Sequence, residues 1–85
     1  MISNSVTVGT TAILVVPADD KNRTVYLHNA GGGKVYLGGS NVTSTTGFHL
    51  NNNEATELFV PLKETVYGIS ASGTNAVIVL TPDAD

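Results

Sequence analysis

The chain has 85 residues, a formal net charge of −3 and no cysteine, which leaves room for one small domain and none for doubly wound sheets or eight-fold barrels, roughly two to three times longer. With 41% hydrophobic and 13% charged residues it is a folding chain rather than a disordered tail. Its four basic residues, Lys21, Arg23, Lys34 and Lys63, are scattered, so the clustered cationic face of a nucleic-acid binder is excluded, and without thiols neither disulfides nor sulfur-ligated metals are available.

Valine and threonine number eleven each, and β-branched residues favour a pleated surface. Met1-Ile2-Ser3-Asn4 has neither the basic nor the apolar region of a secretion signal and is expected to be a flexible arm. Strands are then predicted over 5–8, 11–16, 23–29, 34–37, 56–61, 65–70 and 76–81, separated by turn clusters rich in Gly, Asn, Asp and Ser. The run Ala12-Ile13-Leu14-Val15-Val16 and the run Ala76-Val77-Ile78-Val79-Leu80 are apolar at consecutive positions, which fits either a strand buried on both sides or one whose outer face meets a partner. In Arg23-Thr24-Val25-Tyr26-Leu27-His28, by contrast, Val25 and Leu27 share one face and Tyr26 and His28 the other. The polar stretch Gly38–Gly47 is a surface loop, Phe48-His49-Leu50 a short extended piece, and Pro82-Asp83-Ala84-Asp85 a second flexible arm. No window carries a helical stripe and none approaches the ~18 apolar residues that span a bilayer. The expectation is a single all-β domain over 1–85, a small antiparallel sandwich or barrel of about seven short strands, made in the cytoplasm without a membrane segment.

Reactive constellations are not evident. Gly31-Gly32-Gly33-Lys34 lacks the earlier glycine and the following Ser or Thr of a phosphate loop, since His28 and Val35 stand there, and a hairpin turn using positive φ accounts for it better. His28 and His49 have no metal-ligand spacing, and Asp19-Asp20 is turn chemistry after Pro17. Glu54 and Glu57 sit beside Asn51-Asn52-Asn53 without the alternating ligands of a calcium loop. Serine has no nucleophile elbow around it, and the sequons at Asn22 and Asn41 come without a secretion signal. Neither a catalytic residue nor a cofactor or metal is expected. Tyr26, Tyr36 and Tyr67 with Phe48 and Phe59 form core and rim of a sandwich or, alternatively, a sugar-stacking platform.

Taken together, Arg23-Thr-Val-Tyr-Leu-His-Asn29, a glycine turn, Val35-Tyr-Leu-Gly-Gly-Ser-Asn-Val-Thr43, Gly47-Phe-His-Leu50, an Asn/Glu turn and Thr65-Val-Tyr-Gly-Ile-Ser-Ala-Ser-Gly73 before a Val-rich strand resemble the short virion structural proteins of tailed bacteriophages. The resemblance covers residues 6 to 81 and rests on strand and turn composition. It implies a non-enzymatic capsid decoration or head-fibre protein on the outer capsid surface, bound to the major capsid protein and assembled as a homotrimer. Partner contacts are expected at Met1, Ile2, Ser3 and Asn4, with exposed aromatic contacts at Tyr26 and Tyr36. Neither nucleic acid nor membrane is an expected partner. The alternatives are a host-surface adhesin that binds glycans through Gly38–Gly47 and the exposed tyrosines, and a tail or neck component forming rings.

Overall fold

Alternation of inward valine or leucine with outward polar or aromatic residues generates eight strands in the computed structural model, which describes residues 1–82. They are β1 (Ile2–Val8), β2 (Ile13–Val16), β3 (Arg23–Asn29), β4 (Val35–Gly38), β5 (Phe48–Leu50), β6 (Ala55–Val60), β7 (Val66–Ser70) and β8 (Asn75–Thr81). The seven expected runs are all present, and the short piece at 48–50 supplies the eighth. Among the described residues no helix is long and apolar enough to cross a membrane.

The strands make two four-stranded antiparallel sheets, ordered β1-β8-β3-β6 and β2-β7-β4-β5. Every strand pairs with its mirror in chain order: β1 with β8, β2 with β7, β3 with β6 and β4 with β5. The chain is thus a long hairpin rolled over on itself, closed by the added pairs β3·β8 and β4·β7. That is the strand order of a jelly roll. Except for the hairpin between β4 and β5, each connection crosses from one sheet to the other.

The core between the sheets contains Val8, Val15, Val16, Val25, Leu27, Val35, Leu37, Leu50, Val60, Val66, Val77 and Val79. It holds no aromatic side chain. Two thin sheets of short strands leave room for branched aliphatics, so the three Val-Tyr pairs place valine inside and tyrosine outside: Val25, Val35 and Val66 are buried while Tyr26, Tyr36 and Tyr67 are not.

The two doubly apolar runs are not buried on both sides. β8 lies centrally, with Val77 and Val79 inside and Ile78 37% exposed on the outer face. β2 is an edge strand, and its register shifts between Leu14 and Val16. The bulge turns the consecutive residues Val15 and Val16 both inward and leaves Ile13 and Leu14 about two-fifths exposed, at 41% and 40%. Gly68 makes this possible. It stands where the other two Val-Tyr motifs have leucine, and a Cβ there would lie 3.0 Å from Val15 Cγ2.

The glycine run is a crossover rather than a hairpin, because β3 and β4 belong to different sheets. Nor does it use positive φ, which among the glycines belongs to Gly73. Its requirement is close approach: a Cβ on Gly31 would lie 2.5 Å from Asn75 Cβ and 2.6 Å from Asn75 Cα. The segment expected as an N-terminal arm is strand from Ile2 onward, with Ile2, Ser3 and Asn4 opposite Thr81, Leu80 and Val79. Of the C-terminal arm expected at 82–85, residues 83–85 lie outside the described residues.

Candidate functional site

Directly opposed residues of an antiparallel pair share a face, so the registers define both outer surfaces. On the β1-β8-β3-β6 sheet, Tyr26 lies between Leu80 and Glu57, and His28 between Ile78 and Ala55, with Phe59 beside Thr24. The strand β1 contributes Ser3, Ser5 and Thr7 to the same surface, opposite Leu80, Ile78 and Ala76. The result is a centre of Tyr26, His28, Ile78, Leu80 and Ala76, apolar except for the imidazole, with hydroxyl groups along one margin and Glu57 and Phe59 along the other. Tyr26 is 44% and Phe59 59% exposed.

On the other sheet, Tyr36 lies between Ile69 and His49, and Leu14 beside Tyr67. The rings of Tyr36 and His49 meet edge to face, with centroids 6.5 Å apart. Tyr36 is only partly exposed. Tyr26 and Tyr36 therefore lie on opposite outer faces of the sandwich. They do not form one platform, and the two histidines are divided in the same way.

Each open side of the sandwich carries a cleft. Between β5 and β6, a slot of about 200 Å³ is lined by Leu37, Thr56, Leu58 and Val66, with Phe48 at its lip. Between β1 and β2, a cleft of about 260 Å³ is lined by Ile2, Asn4, Val15, Val79, Arg23 and Pro82. Of the expected partner-binding residues, Ile2 and Asn4 form part of the wall of this second cleft, Ser3 faces outward from the sheet and Met1 is exposed.

Arg23 was indistinguishable in sequence from the other scattered cations, yet it is 8% exposed. Its Nη2 donates to the carbonyls of Pro17 at 2.5 Å and Glu64 at 3.2 Å, and Nη1 lies 3.9 Å from Asp19 Oδ2. Lys63 N donates to Asp19 O at 2.6 Å, and Leu62 N to Asn22 Oδ1 at 2.8 Å. The guanidinium thus staples the 17–22 connection to the 61–65 connection at one end of the sandwich. At the other end a buried polar network does the same. Asn29 Nδ2 donates to the carbonyls of Gly33 and Leu50, Gly33 N to Asn75 Oδ1, and Asn75 Nδ2 to Ser70 Oγ.

The remaining candidates are committed to local structure. Glu54 Oε1 accepts from Asn51 N at 2.8 Å, and Asp19 Oδ1 from Asp20 N at 2.6 Å, while Glu57 faces outward from β6 beside Tyr26. Among the described residues no three His, Asp or Glu side chains gather into a group that could hold a metal ion. The polar loop after β4 is ordered around its own side chains: Val42 is buried, and the Thr43 hydroxyl lies 3.0 Å from that of Thr46. The geometry offers two outer faces and two open sides.

No protein-family model matches the chain, and comparisons with curated proteins and with solved structures find no similar one.

Proposed function

We propose that this chain is a non-enzymatic structural protein of a virion, which decorates the outer surface of a tailed-phage capsid by contacts with the major capsid protein. The observation that carries the reading is the outer face of the β1-β8-β3-β6 sheet. Its centre of Tyr26, Ile78, Leu80 and Ala76, with His28 among them, is margined by Ser3, Ser5 and Thr7 on β1 and by Glu57 and Phe59 on β6, an exposed, largely apolar surface with a hydroxyl rim on one side that suits docking. The jelly-roll order adds support by analogy, since viral capsid and lectin domains recur on it. Placed on a symmetric shell, one such face per copy gives many weak contacts at high effective concentration. Co-sedimentation tests the reading. The protein should saturate assembled shells and bind free capsid subunits weakly, and Ile78→Asp should lower shell occupancy while leaving the circular dichroism spectrum unchanged. Absence of binding to either form removes the proposal.

Carbohydrate recognition is the second reading. It is favoured by the edge-to-face pair of Tyr36 and His49 on the opposite sheet, because an exposed aromatic face stacks on a pyranose ring. Retention on a glycan array that Tyr36→Ala abolishes would support it, and an empty array would end it.

A further inference from the structure

A sheet edge presents unpaired backbone N–H and C=O groups, and proteins blunt such edges with short strands, bulges, charges or proline. Three of the four edges here are blunted. β2 is four residues long, bulged and followed by Pro17; β5 has three residues; β6 carries Glu57 and is followed by Pro61. β1 differs in length, regularity and charge, and the Ser5 N–H at its midpoint donates to the neighbouring Asn4 Oδ1 at 2.9 Å, a contact that pairing with another strand would exchange for a backbone bond. The strand runs for seven residues, Ile-Ser-Asn-Ser-Val-Thr-Val, paired with β8 without a register shift, and it has no charged side chain and no proline. The first charged side chain of the chain is Asp19, so both edges of this open side are made from neutral sequence.

We propose that β1 is the interface for a second copy of this chain, pairing antiparallel with its own counterpart across a two-fold axis at Ser5. The inference does not rest on the shell-binding reading, and it replaces the trimer expected from the resemblance with a two-fold dimer. Its basis is self-complementarity. The antiparallel register that pairs all seven residues sets Ile2 opposite Val8, Ser3 opposite Thr7, Asn4 opposite Val6 and Ser5 opposite itself. Side chains of even number face the interior, as Val6 and Val8 do beside Val77 and Asn75, and those of odd number face outward. Every pair in this register therefore keeps its face. Hydroxyls meet hydroxyls outside, and inside aliphatic side chains meet at the two ends while Asn4 meets Val6 on either side of the axis.

The register also covers what the monomer leaves bare. Ile2 is 48% exposed although it stands on the inner face at the cleft, and Ile13, at the far end of β2, is 41% exposed although it pairs with inward Gly68. Val8 and Ile13 lie at the same end of the sandwich, joined by the 9–12 connection. Setting Ile2 of the partner subunit against Val8 brings it toward Ile13, and the two-fold repeats the contact at the other end. The strand is about 20 Å long at the usual rise per residue, close to the 23 Å middle extent of the molecule. An isologous contact of this kind closes at two copies.

The test is the native mass over a dilution series by light scattering, with Ser5→Lys, Ser5→Glu and their equimolar mixture. Ser5 is exposed on the outer face, so the variants should keep the wild-type spectrum and melting behaviour. The wild-type chain should have twice the 8.8 kDa chain mass. Each variant alone should dissociate at about tenfold higher concentration, because like charges face each other across the axis, and the mixture should recover wild-type association. Backbone amides of β1 should also gain hydrogen-exchange protection with rising wild-type concentration, a readout that needs no variant. A wild-type monomer up to millimolar concentration, a three-fold mass, open-ended polymers, or variants that associate as the wild type does would each overturn the proposal.

Discussion

Asn29 and Arg23 show how few polar side chains hold the ends of this sandwich. Asn29 is fully buried, and its amide satisfies the Gly33 and Leu50 carbonyls at 2.6 and 3.0 Å while its Oδ1 accepts from Gly31 N at 3.1 Å. Asn29→Ala leaves all three backbone groups without that partner, and an unsatisfied buried group costs about 1–3 kcal/mol. We expect a loss of about 2–3 kcal/mol in urea titration, and a change under about 0.5 kcal/mol would show that water replaces the amide. At the opposite end, the carbonyl bonds of Arg23 matter more than its ion pair. The carboxylate of Asp19 is 3.9 Å from the buried Nη1, too far for a hydrogen bond, and its own side chain is 35% exposed, so solvent screens it from that side. Asp19→Asn should therefore cost less than about 1 kcal/mol, whereas Arg23→Met, which removes the donor to Pro17 and Glu64, should cost about 2 kcal/mol. Equal costs for the two substitutions would assign the staple to charge instead.

The strands themselves are legible from residue type, because valine and threonine in alternation specify a half-buried pleat whatever the partners. Val25 and Leu27 are inside and Tyr26 and His28 outside, as the period of two requires. The bulge in β2 is not legible. Ala12-Ile13-Leu14-Val15-Val16 reads as a continuous apolar run, and only the pairing with β7 shows that one extra residue is absorbed between Leu14 and Val16. Its trace in the sequence is indirect, the replacement of leucine by glycine in the third Val-Tyr motif. This gives a coupled prediction. Gly68→Ala puts a methyl 3.0 Å from Val15 Cγ2 and 3.4 Å from Val8 Cγ2, and overpacking of that kind costs about 1–3 kcal/mol. Val15→Ala opens a small cavity at the same point. The double variant should be more stable than the sum of the two losses predicts, by about 1 kcal/mol in a double-mutant cycle. Strict additivity would mean that the bulge yields to the added methyl elsewhere.

Across the whole molecule, what the sequence hides is what depends on long-range pairing. The alternation anticipates outward tyrosines, and Tyr26 and Tyr36 are outward on their strands. Which surface each one joins is fixed by sheet membership, however, and β3 and β4 fall in different sheets although only five residues separate them. The rolled hairpin joins the first strand to the last, so the location of Ile2, Ser3 and Asn4 is decided by Val79, Leu80 and Thr81 at the other end of the chain. No local pattern reports such a pairing, and an N-terminal stretch before the first valine reads as an arm for that reason.

Charge distribution, by contrast, is read directly from the sequence, and at this scale it makes the last prediction. Residues 1–18 contain no charged side chain, so association through β1 forms no side-chain ion pair and is screened only through the α-amino group and the net charge of −3 on each copy. Raising salt from about 0.05 to 0.5 M shortens the Debye length from more than 10 Å to a few ångströms. Wild-type dimerisation should change by less than about twofold over that range, since hydrogen bonding and apolar burial are little affected by screening. The Ser5→Lys and Ser5→Glu variants should move in opposite senses when alone and when mixed: each homotypic association strengthens as salt screens like charges, and the heterotypic one weakens. Strong salt dependence of the wild type would place the contact on the β5 and β6 side, where His49, Glu54, Glu57 and Lys63 lie, and would remove β1 from the interface.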